Sequence, residues 1–202
     1  MQIKNFFNTH KKKFLIGAAA LVTSSLVFLI IKKASNPAKK LLKLASKNIG
    51  ILEVGSNAGF SDSNFEKKIK QAGWLSGQDW CCYTVKTFLS ELAKDEALDF
   101  FKKNINGSTQ SSWKNLQTES KYHKISTSPQ PGALIFYQNN SNTSKGHVEI
   151  IEKINNDGSY QVISGNSSIS GSGKQGITRK TRAKSGISGF KILGYVIIKK
   201  LK

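Results

Sequence analysis

The chain has 202 residues, enough for one globular domain and an appendage, and its 38% of hydrophobic residues can supply a core. The formal net charge is +19, yet only Arg179 and Arg182 are arginine and the other 29 basic residues are lysine. Base-reading proteins rely on the planar fork of arginine, so no nucleic-acid partner is expected; anionic envelope polymers or lipid headgroups would feel the same field. The two cysteines are adjacent, Cys81 and Cys82, which excludes a stapled disulfide framework and a zinc site built on CxxC pairs.

Residues 1–13 form a basic arm ending in Lys11, Lys12 and Lys13. Residues 14–31 carry no charge and would span about 27 Å as a helix, close to the roughly 30 Å hydrocarbon core of a bilayer. Lys32 and Lys33 close the stretch, and lysines at both ends can reach the headgroups. Cleavage at the small residues Ser24 and Ser25 would strand an apolar stub, so the pattern predicts an uncleaved transmembrane anchor rather than a removed signal. Lysines flank it on both sides and set no orientation.

Residues 32–40 read as a linker, and residues 41–202 as one domain with 23 basic and 12 acidic residues. Helical patterns fall at 41–49, 63–72, 79–93 and 95–103, with a short one near Trp113. Strand patterns follow at 132–137, 147–154, 160–166, 176–182 and 192–199. Helices first and strands after predict an α+β domain with a mainly antiparallel sheet. The Gly/Ser run 165–176 lacks the first glycine and the Ser or Thr of a phosphate loop, since Ser168 and Gln175 stand there, and it reads as a flexible loop.

Within 79–93, Cys82, Val85, Leu89 and Leu92 make one helical stripe, which assigns Cys82 to the buried face. Cys81 lies about 100° away in the first turn, where free N–H groups and the helix dipole favour a thiolate. A thiolate nucleophile needs a base, and there are three histidines. His10 lies in the basic arm, and His123, among polar neighbours, reads as a solvated loop residue. His147 opens a strand-like run directly after Gly146, a rigid place for a base.

Trp80-Cys81 opening a helix, Pro131-Gly132 leading a strand, Gly146-His147-Val148, and Gly165-Asn166 ending the next strand occur in this order. Together with Glu53, Asn57 and a closing Leu193-Gly194-Tyr195, the pattern resembles the CHAP branch of the NlpC/P60-like cysteine peptidoglycan hydrolases. The resemblance spans roughly residues 44–198. It implies a papain-like fold and hydrolysis of an amide bond in peptidoglycan, without metal or other cofactor. Cys81 matches the nucleophile, His147 the base, and Asn166 the polar residue that orients the imidazole. Trp80, Trp113 and Glu149 are candidates for the substrate groove, with tryptophans in the core and a solvated glutamate as the alternative. The chain departs from the family where Ser164 replaces a common acidic residue, Ala133 a common aspartate, and Cys82 a small residue such as alanine.

His147 would take the thiol proton, the thiolate would attack a carbonyl, and the backbone N–H of Cys81 would face the oxyanion. The same Cys–His pair would serve a transamidase, and a catalytically idle wall-binding component of a membrane or virion is the other alternative. The expected setting is a single-pass protein of the cell envelope, or of a membrane-containing virion, with its domain on the cell-wall side. The bond, muramoyl–alanine or peptide, is left open. One geometric expectation follows from counting. If 155–158 form a four-residue hairpin loop, Ile154 faces Ser159 and His147 stands opposite Asn166; a two-residue loop would instead pair His147 with Ser168.

Overall fold

The computed structural model describes residues 36–202; the basic arm, the expected anchor 14–31 and the start of the linker lie outside the described residues. Among the described residues no helix is long and apolar enough to cross a membrane.

Helices occupy the first half of the domain. α1 (Pro37–Lys47) starts four residues before the expected boundary at 41, with Pro37 at the first helical position, where its missing N–H costs no hydrogen bond. Leu41 and Ala45, four apart on one face, are fully buried and tie α1 into the core. A two-stranded ribbon follows, β1 (Glu53–Val54) with β2 (Gly59–Phe60). α2 (Ser63–Gln71) is capped by Asp62, whose side chain accepts from the Phe65 N–H at 2.8 Å. α3 (Cys81–Leu92), α4 (Asp95–Asn104) and the short α5 (Thr109–Asn115) complete the helical part.

The second half is an antiparallel six-stranded sheet of β3 (His123–Ser126), β4 (Leu134–Asn139), β5 (Gly146–Ile154), β6 (Tyr160–Ser168), β7 (Gln175–Arg182) and β8 (Phe190–Ile198). Its spatial order is β3-β8-β4-β5-β6-β7. One face carries Leu134, Phe136, Val148, Ile150 and Ile163, which share a core with Trp80, Phe88 and Leu89 of the helical half. The other carries Ile135, Tyr137, Ile151, Tyr160 and Val162, against which Ile187, Phe190 and Ile192 pack. Both faces of the central strands are thus covered, and residues 133–137 are buried without alternation.

The expected strands are all present with shifted ends. β3, β1 and β2 were not expected. His123, read as a solvated loop residue, is fully buried in β3: its Nδ1 lies 2.9 Å from Ser120 Oγ and its Nε2 2.9 Å from the Leu116 carbonyl. Two polar partners outside the strand make burial of a histidine affordable, and a scan for apolar alternation does not register them. The Gly/Ser run is less of a loop than expected: 165–168 belong to β6 and Gln175 starts β7. Gly165 is required by packing, because a Cβ there would come within 2.3 Å of Thr84 Oγ1 on α3.

The hairpin between β5 and β6 also differs in detail. Its loop is Asn156 to Gly158, closed by Asn155 N–H to the Ser159 carbonyl at 2.9 Å, with Gly158 at φ 81°, so Ile154 pairs with Tyr160 rather than Ser159. This is a turn followed by a left-handed glycine. A bulge between Ile151 and Lys153 then shifts the register by one, giving Ile151 opposite Val162 and Ile150 opposite Ile163. The register counted from a four-residue loop therefore holds there, although the loop itself is shorter.

Candidate active site

Cys81 is the first residue of α3, and Trp80 caps it. Of the two readings for Trp80, groove or core, the structure shows the core: it is fully buried, its ring meets Phe60 edge-on at 4.8 Å and its indole N–H donates to Glu53 Oε2 at 2.8 Å. The other Glu53 oxygen accepts from the Asn57 N–H at 2.9 Å, so the ribbon β1–β2 is fastened to the start of α3. Trp113 is half-buried on α5 and lies 5.4 Å from the Phe136 ring, again as a packing residue.

Both thiols are free and buried. Cys82 Sγ lies 3.3 Å from Thr109 Oγ1, and Cys81 Sγ 3.8 Å from the same hydroxyl. Cys81 is held well below the ordinary thiol range: the Cys82 thiol donates to it, and the charge and hydrogen bond of His147 add to this, against the opposing effect of burial. Cys82 is pushed the other way, by the same contact with Cys81 and by burial. The two thiols thus shift in opposite directions, although both are buried, where the helical stripe assigned only Cys82 to the buried face.

His147 is the second residue of β5, which packs against α3. Its Nε2 lies 2.9 Å from Ser164 Oγ and 3.4 Å from Glu149 Oε1, and its ring stacks near Tyr137 at 6.5 Å. Burial works to lower its pKa, but the Cys81 thiolate and then Glu149 raise it to about 10. Cys81 and His147 thus favour a thiolate–imidazolium pair.

Two expectations need correction. Asn166 does not bond the imidazole; its side-chain amide donates to Asp79 Oδ1 at 3.3 Å. The reason is local backbone: the β6–β7 register shifts between Ser164 and Ser167, and Asn166 sits at φ 52°, so its side chain leaves the alternation of the strand. Ser164, two residues earlier and fully buried, takes the place beside His147. Glu149, expected in the groove or in solvent, has a side chain with no exposure. It accepts from Arg182 Nη2 at 2.6 Å and from Tyr137 Oη at 3.2 Å. Burial tends to raise its pKa, yet His147 and Arg182 bring it down to about 2. The sequence does carry a signal for it, since Glu149, two positions after His147, shares its face of the strand and is flanked by the apolar Val148, Ile150 and Ile151.

Among the described residues no group of three His, Cys, Asp or Glu side chains is placed to hold a metal ion. The arrangement is chemically suited to covalent catalysis: a thiol of lowered pKa at a helix N-terminus and an imidazole of raised pKa beside it.

Residues 71–166 match the family model described as the CHAP domain. That span holds Cys81, His147, Glu149, Ser164 and Asn166, and leaves α1, β1, β2, β7, β8 and all but the last residue of α2 outside. No curated protein matches the chain. Among solved structures, the chain is similar to "The crystal structure of Ly7917 with the hydrolyzing product of MDP", at 13% identity and a TM-score of 0.45. The match covers 80% of this chain and 62% of that one.

Proposed function

We propose, from the match of residues 71–166 to the CHAP domain, that this chain hydrolyses an amide bond in peptidoglycan through a thioester on Cys81. The observation that carries the reading is the pairing of buried Cys81 with half-buried His147, in which thiol and imidazole shift in opposite directions toward the charged form. A papain-like course fits this geometry. Ser164 occupies Nε2, which leaves Nδ1 of His147 to face the sulfur. The thiolate attacks the carbonyl carbon, and the oxyanion forms near the first N–H groups of α3. The imidazolium gives its proton to the leaving amine nitrogen as the C–N bond breaks. The neutral imidazole then takes a proton from water, which opens the thioester, releases the carboxylic acid and restores the thiolate–imidazolium pair.

The setting proposed for this activity is the cell envelope or a membrane-containing virion. Residues 14–31 act as the anchor, and the domain lies on the wall side. The excess of lysine would favour approach to an anionic wall. The test is digestion of purified cell wall by the full chain in detergent, with the released muropeptides identified by mass spectrometry. New amine and carboxyl ends that depend on Cys81 support a hydrolase and identify the bond. Transfer of an added amine onto the new carboxyl end would make it a transamidase. Binding to the wall with no new ends would make it a catalytically idle component.

A further inference from the structure

We propose that Glu149 is the positioning residue that holds His147 in its protonated, productive orientation, with Arg182 and Tyr137 locking the carboxylate and Ser164 supplying only a neutral hydrogen bond. The inference rests on the Cys81–His147 reading above and deepens it.

The geometry separates two tasks at the same nitrogen. Ser164 Oγ, at 2.9 Å from Nε2, is within hydrogen-bond distance, whereas Glu149 Oε1, at 3.4 Å, is at ion-pair distance. A serine fixes the ring but brings no charge, and an imidazolium with only 15% of its side chain exposed gains from an opposite charge beside it. Glu149 is the carboxylate placed to give one. His147 and Glu149 are two apart on β5 and so point to the same face of the sheet.

The carboxylate is itself held rigidly. Oε1 receives Arg182 Nη2 at 2.6 Å and Nε at 3.2 Å; Oε2 receives Arg182 Nε at 3.2 Å and the Tyr137 hydroxyl at 3.2 Å. With no solvent exposure and this many donors, Glu149 has no freedom to swing toward a substrate. It therefore acts through His147. The charges read in order as Cys81 negative, His147 positive, Glu149 negative and Arg182 positive, an alternating row with no net charge. Such a row is the arrangement in which buried ions support one another. The titratable groups facing the imidazole and carboxylate are Cys81, with Cys82 behind it, from α3, Tyr137 from β4 and Arg182 from β7; Tyr195 of β8 stands beyond Tyr137.

The experiment is an NMR titration of the His147 ring in the full chain, in the wild type and in Glu149→Gln, alongside kcat and KM on cell wall. In the wild type the ring should stay protonated to pH about 10. In Glu149→Gln it should lose its proton about 1–3 pH units lower, as expected for removal of an adjacent opposite charge. The kcat should fall by about 100-fold, the low end for loss of acid–base function, with KM nearly unchanged. If the lone Arg182 charge prevents folding, Glu149→Gln with Arg182→Gln removes both ions and is read in the same way. Adding Ser164→Glu to that double variant should return the titration toward pH 10 and restore much of kcat. An unchanged His147 titration in a folded variant lacking the carboxylate would overturn the proposal, as would an unchanged kcat. A wild type that leaves cell wall intact defeats the hydrolase reading instead, while the titration still decides the role of Glu149.

Discussion

Two histidines of this domain are equally at home in strands and have opposite chemistry. His123 and His147 each stand near the start of a strand and beside a serine hydroxyl, but the second partner of His123 is a backbone carbonyl, whereas His147 also has the Cys81 sulfur and the Glu149 carboxylate beside it. Burial lowers the pKa of the first, and its neighbours raise that of the second to about 10 in spite of burial. The lesson is that burial and hydrogen bonding do not by themselves mark a base; a charged partner across the gap does.

The largest contrast expected is in turnover. Cys81→Ala should abolish hydrolysis and His147→Ala should lower it by about 10²–10⁴-fold, whereas His123→Ala should keep the rate and cost about 1–3 kcal/mol of stability by leaving a buried carbonyl unpaired. Rates on cell wall and urea midpoints, measured on the same samples, check this pair of outcomes. A lost rate in a folded His123→Ala variant would break the comparison.

The partners of the two rings give a smaller contrast. Ser164→Ala removes a hydrogen bond to a charged ring, worth about 1.5–3 kcal/mol, and should slow turnover roughly 10- to 100-fold. Ser120→Ala removes the partner of His123 Nδ1 and should cost about 1 kcal/mol of stability without touching kcat.

Stability should follow pH in opposite directions for the two rings. His123 has a lowered pKa, so the unfolded chain binds the extra proton, and stability should fall as the pH drops below about 6.5. His147 has a raised pKa, so its contribution is complete below about 6.5 and is lost as the pH climbs toward about 10. Urea midpoints against pH should lose the acid slope in His123→Ala and part of the alkaline slope in His147→Ala. The smallest effect expected is for Cys82→Ala, which should keep most activity at a modest cost in stability, because Cys82 is fully buried beside Thr109.

Much of the frame was legible from periodicity. The stripe Cys82, Val85, Leu89, Leu92 located α3 and the burial of Cys82, though not that of Cys81, and the Gly146-His147 step located β5. What periodicity hides is polar burial. His123 and Glu149 look like surface residues in sequence because their partners, Leu116 and Ser120 for one and Arg182 and Tyr137 for the other, lie outside their own strands. Asn166 was misplaced for a different reason: alternation assumes an unbroken ladder, and a bulge with one left-handed residue turns its side chain toward Asp79. Trp80 shows the limit of reading aromatics beside a nucleophile as groove residues, since its bond to Glu53 faces inward.

An ion pair between Cys81 and His147 is tested most directly by the pH dependence of iodoacetamide alkylation in the full chain, with the labelled cysteine identified by mass spectrometry. Labelling of Cys81 alone, already at its plateau well below the ordinary thiol pKa of about 8.5, and loss of that early plateau in His147→Ala are the predicted results. Labelling of Cys82, or a Cys81 curve that rises only near pH 8.5 and is the same in His147→Ala, would contradict it.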